Sequence, residues 1–234
     1  MSDWPLILAI DTCGPSGSVA LGRIAGRDLE ILGQSELAGR TYSATLVSAV
    51  DEVLRSAEVN LGQLSGIVAV NGPGSFTGVR VGLSAVKGLA EGKGIPVVAI
   101  SRLELLSRKA GVPSAALDAH RGEVFLRLER LGSNPAEMLA GPRELSAIDP
   151  KPLRVAVCDD SAAALLATAW PDTQLVKVPA PLAADAIRPG EARLVAGAAV
   201  DLALLDGHYL RRSDAEIFGE SAARELAAAE SKNS

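Results

Sequence analysis

The stretch Leu6-Ile-Leu-Ala-Ile10, Asp11-Thr-Cys-Gly-Pro-Ser-Gly17, Ser18-Val-Ala-Leu-Gly22 sets the architecture. An uninterrupted apolar run such as 6–10 suits a strand buried on both faces. Residues 11–17 are dense in turn formers, and 18–22 returns as a second strand. After the turn signal Ala25-Gly26-Arg27, residues 28–34 read as a third strand, so the chain opens as an antiparallel meander. From Thr41 the period becomes helical, with Leu46, Val50, Val53, Leu54 and Ala57 on one face and Asp51 and Arg55 one turn apart, through about Glu58. Residues 66–70 are a further buried strand, bounded by Asn71-Gly-Pro-Gly-Ser75. A second helix over 77–91 carries the stripe Val79, Leu83, Val86, Leu89 and Ala90 and stops at Gly92-Lys-Gly94. Residues 96–100 form a strand, and Ser101 caps a helix through Lys109, with Glu104 placed for a capping box.

The second half repeats this theme more faintly. We read strands at 114–117 and 123–131 around the turn Asp118-Ala-His-Arg-Gly122, a strand at 153–158, a helix at 161–169 and a strand at 174–178. Residues 179–189 read as a Pro/Ala-rich connector, 190–205 as a long Ala-rich helix, and 222–234 as a polar tail. Two α/β halves thus meet within 101–113. With the boundary at 105/106, the lobes are 1–105 and 106–221.

A length of 234 residues supports a real core. Apolar residues at 48% and charged residues at 22% fit neither disorder nor a fibrous design. Aromatics make up only 3%, which argues against stacking platforms for single-stranded nucleic acid. With 23 Lys and Arg against 28 Asp and Glu, the net charge is −5, the wrong sign for independent binding to a phosphate backbone. The two cysteines, Cys13 and Cys158, form no Cys-x-x-Cys pair and indicate neither a disulfide framework nor a zinc site. The apolar run ending at Ile10 lacks a basic leader, and no stretch approaches the ~18 residues of a membrane span. A soluble cytoplasmic chain is the expectation.

Chemistry has few places to reside. Asp11 ends the first strand, where a carboxylate could hold hydrated Mg²⁺ beside a nucleotide or simply close an Asx turn. The loop Gly72-Pro-Gly-Ser-Phe-Thr-Gly-Val-Arg80 joins a strand to a helix, a geometry that offers N–H groups to an anion or makes a tight turn. Together they give a candidate anion site of Asp11, Gly72, Gly74, Ser75 and Thr77. It is neither a P-loop nor a Gly-x-Gly-x-x-Gly fingerprint. On the following helix, Gly78, Gly82 and Ala85, beside Ser84, Gly88 and Gly92, cost helix stability and ask for a close neighbour, either a second chain or the rest of this one. His120 and His208, the only histidines, form no His-x-x-x-His, and Ser75 lacks a Gly-x-Ser-x-Gly context. No metal site is expected. His120 reads as a turn residue, Arg121 and Glu123 as a local pair, and the cysteines as small buried hydrophobes.

Ile10-Asp-Thr, the 72–80 loop, Lys87-Gly-Leu-Ala90, Asp118-Ala-His-Arg-Gly-Glu-Val124 and Tyr209-Leu-Arg211 together resemble the bacterial TsaB (YeaZ) family, which assists synthesis of threonylcarbamoyladenosine beside the tRNA anticodon. The resemblance spans the chain and is strongest over 6–106. Tyr42 and Gly207 depart from it, standing where the family pattern has histidine and proline. The resemblance implies an α/β, actin-like ATPase (ribonuclease H-like) fold in two lobes of β-β-β-α-β-α type, the second reduced. It further implies a non-catalytic scaffold, because Arg102 and Leu106 stand where the related catalytic subunit has metal-binding histidines. The helices at 41–58 and 77–91 would meet that subunit, TsaD, through Leu46, Val50, Gly78, Gly82, Ala85 and Leu89, and the same surface can pair with itself as a homodimer. ATP and metal would sit on partner subunits, including the ATPase TsaE, and tRNA would be reached only through the complex. Two other readings compete: a glycoprotease-type metallopeptidase, and an independent ATPase or sugar kinase using Asp11, the 72–78 loop and the Gly-poor stretch Val195-Ala-Gly-Ala-Ala199.

Overall fold

The computed structural model describes residues 4–38, 42–130 and 133–211. The opening meander forms β1 (Leu6–Asp11), β2 (Gly17–Ala25) and β3 (Asp28–Leu37). Helix α1 (Tyr42–Ser56) follows, then β4 (Gly66–Val70), α2 (Phe76–Glu91), β5 (Val97–Ile100) and α3 (Arg102–Ala110). The second half repeats that order with β6 (Ser114–Asp118), β7 (Val124–Arg130), β8 (Ser133–Ala140), α4 (Pro142–Ala147), β9 (Arg154–Val157), α5 (Asp160–Ala169), β10 (Gln174–Lys177) and α6 (Ala183–Val195). The two sheets run β3-β2-β1-β4-β5 and β8-β7-β6-β9-β10. In each, the first three strands pair antiparallel and the last two join in parallel. Two mixed sheets with this repeated topology constitute the actin-like ATPase, ribonuclease H-like fold.

Period-two alternation decides which helix covers which face. In the first sheet Gly33 lies against Val53 of α1, whereas Gly22 and Gly66 lie against Ile187 and Leu194 of α6. In the second sheet Ala116, Val124, Leu126, Val155 and Val157 pack with Leu145 of α4 and Leu166 and Trp170 at α5. Ala115, Leu117, Phe125 and Ala156 instead pack with Leu103 and Leu106 of α3. Each lobe therefore supplies its closing helix to the other lobe's sheet. α3 and α6 meet through Glu104 with Arg193 (2.5 Å) and Asp185 with Lys109 (2.7 Å). The boundary expected at 105/106 falls inside α3, and chain order does not partition the cores, since Ala183, Ala186 and Ile187 belong to the first.

Several expectations are corrected. β8 and α4 carry no strong apolar period and were not anticipated. The connector expected over 179–189 contains the first half of α6, and the helix expected over 190–205 stops at Val195. Gly197 takes φ +70, a conformation glycine adopts at low cost, and its N–H donates to Leu194 O at 3.0 Å. Val195-Ala-Gly-Ala-Ala199 is thus a helix end. At α3, Ser101 Oγ accepts from Leu103 N–H at 3.2 Å and donates to Glu137 at 2.7 Å. Glu104 does not close a capping box: it accepts from Arg108 and Arg193. The expected 222–234 tail lies outside the described residues. No helix among the described residues is long and apolar enough to cross a membrane.

Candidate functional site

The carboxyl end of β1 and the loop after β4 come together, as the strand order β1-β4 requires. The Asp11 side chain is buried (1% exposed), and Oδ1 accepts the Cys13 N–H at 2.8 Å in an Asx turn. Oδ2 accepts from Arg102 Nε at 3.1 Å, and Arg102 is itself only 6% exposed. Burial alone works against the guanidinium's charge, but the charge and hydrogen bond of Asp11 together with the nearby cysteines outweigh it, and Arg102 is held more firmly protonated than usual. Asp11 therefore has an internal cation, supplied by the first residue of α3. This arrangement meets the Asx-turn expectation and gives both carboxylate oxygens partners within the chain.

The glycines of the 72–78 loop serve close approach between the two loops. A Cβ on Gly74 would stand 2.1 Å from Cys13 O, and one on Gly78 would stand 2.1 Å from Thr12 O. Ser75 N–H donates to Cys13 O at 2.8 Å, Thr12 Oγ1 donates to Gly78 O at 2.7 Å, and Ser75 Oγ accepts Gly78 N–H as the α2 cap. Arg102 N–H donates to Gly72 O at 2.7 Å. Ser75 and Thr77 are exposed, while Gly72 is buried. The loop so placed is sewn to the β1–β2 turn, and these N–H groups point at protein oxygens.

The same contacts account for two of the small residues on α2, Gly78 and Gly82. A Cβ on Gly82 would meet Thr12 Oγ1 at 2.2 Å, and Gly78 also faces the Tyr42 ring. Tyr42 donates its hydroxyl to Gly14 O at 2.8 Å, and its ring lies against Gly17, which gives this departure from the family pattern a packing role. Burial, then the Asp11 charge, pushes the Tyr42 hydroxyl upward and keeps it a donor. Cys13 is buried, its thiol pushed well up by burial and then by Asp11, and it donates to Val70 O at 3.2 Å. Cys158 is half-buried and is likewise pushed up by burial.

The six residues expected to form a partner surface are corrected in their location. Leu46, Val50, Gly78 and Gly82 are buried within this chain, and Ala85 and Leu89 are half-buried against the same core. The exposed faces of those helices are instead Val47 (62% exposed), Ser48, Asp51, Glu52 and Arg55 on α1, and Arg80, Ser84, Gly88 and Glu91 on α2. Val47, Ser48, Asp51, Glu52 and Arg55 line a shallow depression.

The second lobe has its own version of the Asp11 turn. Asp118 Oδ1 accepts the His120 N–H at 2.8 Å, and Oδ2 stands 2.9 Å from His120 Nδ1. His120 and Arg121 both take positive φ, in keeping with a turn. The pairing expected between Arg121 and Glu123 is not the one Glu123 makes with Arg211. Arg102, Thr12 and Tyr42, which organise the first turn, carry no local sequence signal for it: the Asp11–Arg102 contact spans 91 positions.

A profile of the family described as TsaD: tRNA N6-adenosine threonylcarbamoyltransferase matches residues 34–147. Among curated proteins, the chain is 38% identical over 125 residues to the tRNA threonylcarbamoyladenosine biosynthesis protein TsaB of Haemophilus influenzae, covering 51% of each. The TsaB of Escherichia coli is 35% identical over 125 residues, covering 51% of this chain and 52% of the relative. The chain thus matches about half the length of these curated relatives. Among solved structures, YeaZ from Pseudomonas aeruginosa superposes with a TM-score of 0.69 at 25% identity, covering 88% of this chain and 100% of that one.

Proposed function

Because this chain belongs to the TsaB (YeaZ) family, we propose that it is a non-catalytic scaffold subunit for transfer of the threonylcarbamoyl group to tRNA, acting by binding the catalytic subunit TsaD. The observation that carries the non-catalytic part is the Asp11–Arg102 pair. A carboxylate at the end of the first strand acts on a substrate or cation only if it is free to face it. This one is spent on a cation from its own chain and on a backbone N–H, and the glycine loop opposite is closed onto it. Resemblance over 34–147 to TsaD itself supports a partnership between two copies of related architecture.

The surface we assign to the partner is the exposed side of α1 and α2, centred on Val47, with Asp51, Glu52 and Arg55 beside it on α1 and Arg80 and Glu91 exposed on α2. An apolar centre with a charged rim is the ordinary composition of a non-obligate interface. ATP and metal would be held by the partner subunits, TsaD and TsaE, and tRNA would be reached only through the assembly. The test is a reconstituted transfer reaction with TsaD, TsaE, tRNA and the threonylcarbamoyl-adenylate donor, with and without this chain. Dependence of turnover on the chain, with the chain inert alone, is expected. Equal turnover without it overturns the reading.

A further inference from the structure

The structure assigns residues 205–211 to an inter-lobe latch that ties the two lobes together at the carboxyl ends of their strands. This segment follows α6 and touches both the loop after β4 and the β6–β7 turn. On the first lobe, His208 N–H donates to Asn71 O at 2.7 Å, and a Cβ on Gly72 would come within 3.0 Å of His208 O, so the segment lies directly against the start of the glycine loop. The Tyr209 ring packs at a tilt against Phe76, the first residue of α2, with centroids 5.0 Å apart, and its hydroxyl accepts from Arg80 Nε at 3.4 Å. The Arg80 guanidinium covers the Phe76 ring at 3.9 Å, completing a cation and aromatic clasp. On the second lobe, Arg211 pairs with Glu123 and donates to His120 O at 3.5 Å, which places it on the β6–β7 turn. Leu210 packs with the cluster that contains Leu117 and Phe125. Between these anchors, His208 Nε2 stands 2.8 Å from Glu137 of β8.

The anchors pass from the first lobe to the second along a short segment, a pattern a passive tail lying on one surface would not produce. Leu205 and Tyr209 belong to the first core, and Leu210 and Arg211 to the second. Gly207 fits the same geometry. A Cβ there would stand 2.4 Å from the Tyr209 ring, so the absence of a side chain lets the ring fold back onto Phe76. The lobes are already joined by the exchanged helices α3 and α6. The latch adds a second tie at the carboxyl ends of the strands, and the lobes part there only when one of its anchors lets go.

The test is amide hydrogen exchange on the full chain, read for effects that cross from one lobe to the other. Tyr209→Ala removes an anchor on the first lobe and should speed exchange in the 119–123 turn of the second. Arg211→Glu should speed exchange at 71–75. Each rise should be about tenfold or more, the factor that loss of a charged hydrogen bond allows, with 7–10 and 115–117 unchanged. A rise confined to 205–211, or none, overturns the proposal. If exchange rises everywhere, the charge-swapped pair Glu123→Arg with Arg211→Glu decides. Return of the 71–75 turn to its original exchange supports the latch, and failure to return overturns it.

Discussion

Replacing Arg102 with methionine would remove one half of a buried ion pair and leave the other in place. Asp11 is 1% exposed, and among the described residues its other hydrogen bond comes from the Cys13 N–H. A carboxylate in that position keeps its desolvation cost and loses the cation that offset it, and such removals cost about 3–5 kcal/mol. For a chain of this size each kcal/mol lowers Tm by roughly 2–4 °C, so Arg102→Met should melt about 6–20 °C below the parent. Asp11→Asn should lose a comparable amount by stranding the guanidinium, although the amide can still accept the Cys13 N–H. The double variant Asp11→Asn with Arg102→Met has no stranded charge and retains the Asx turn. It should therefore be more stable than either single variant. Calorimetric melting of the four proteins at one pH and ionic strength measures this directly. Single-variant losses under about 1 kcal/mol, the range of an exposed pair, would refute the reasoning. So would a double variant whose loss equals the sum of the two.

Gly78→Ala should destabilise by about 1–3 kcal/mol in urea unfolding, because its Cβ would meet a backbone carbonyl, that of Thr12, at 2.1 Å. Gly88→Ala on the same helix meets nothing within 4 Å and should stabilise by about 1 kcal/mol; equal effects at the two sites would remove the packing account of these glycines. Val47→Arg, on the exposed face of α1, should leave Tm within a few degrees while weakening TsaD binding and transfer, and an unchanged affinity in calorimetry would move the interface elsewhere. Burial pushes the Glu137 carboxyl up, but close contact with His208 and hydrogen bonds from Ser101 and Arg127 outweigh it and hold the group below its ordinary value of 4.5. Its contribution to stability is therefore full above pH 4.5 and is lost as pH falls through the lower folded value. Glu137→Gln should differ most from the parent in Tm above that pH and converge with it below; a constant gap would refute the assignment.

The first lobe was legible because its signals are local. Continuous apolar runs, a helical stripe and strong Gly/Pro punctuation mark β1 through α3 to within a few residues. The second lobe hides its elements for physical reasons. β8 contains Pro135 and little alternation, and α4 is only six residues long. α6 carries Pro189 and Gly190 in its interior, which read as breakers. They are tolerated because the helix is fixed by tertiary packing. A Cβ at Gly190 would stand 2.2 Å from Val68, so glycine is what allows α6 to sit on the first sheet. The structure brings Asp11 and the 72–78 loop side by side at the ends of the adjacent strands β1 and β4. Their partners were not legible, because the cation for Asp11 arrives from a helix packed on the other lobe's sheet.

That last point explains how two lobes of one topology come to have unlike turns. α3 and α6 occupy equivalent places, each following the last strand of its lobe and crossing to the other sheet. The first residue of α3, Arg102, turns back to Asp11 of its own lobe, whereas the first residue of α6, Ala183, has no side chain that can do so. Ala183 instead donates its backbone N–H to Ser18 Oγ of the first lobe at 2.8 Å. Asp118, without such a cation, keeps 25% side-chain exposure and pairs with His120 from its own turn. The asymmetry between a sealed turn at Asp11 and an open one at Asp118 thus follows from one residue choice at the helix start. Placing arginine at position 183 tests the rule: if the helix start alone decides, the Ala183→Arg guanidinium should approach Asp118 as Arg102 approaches Asp11. A crystal structure of that variant with the guanidinium in solvent would show instead that the lobes differ in the path between β10 and α6.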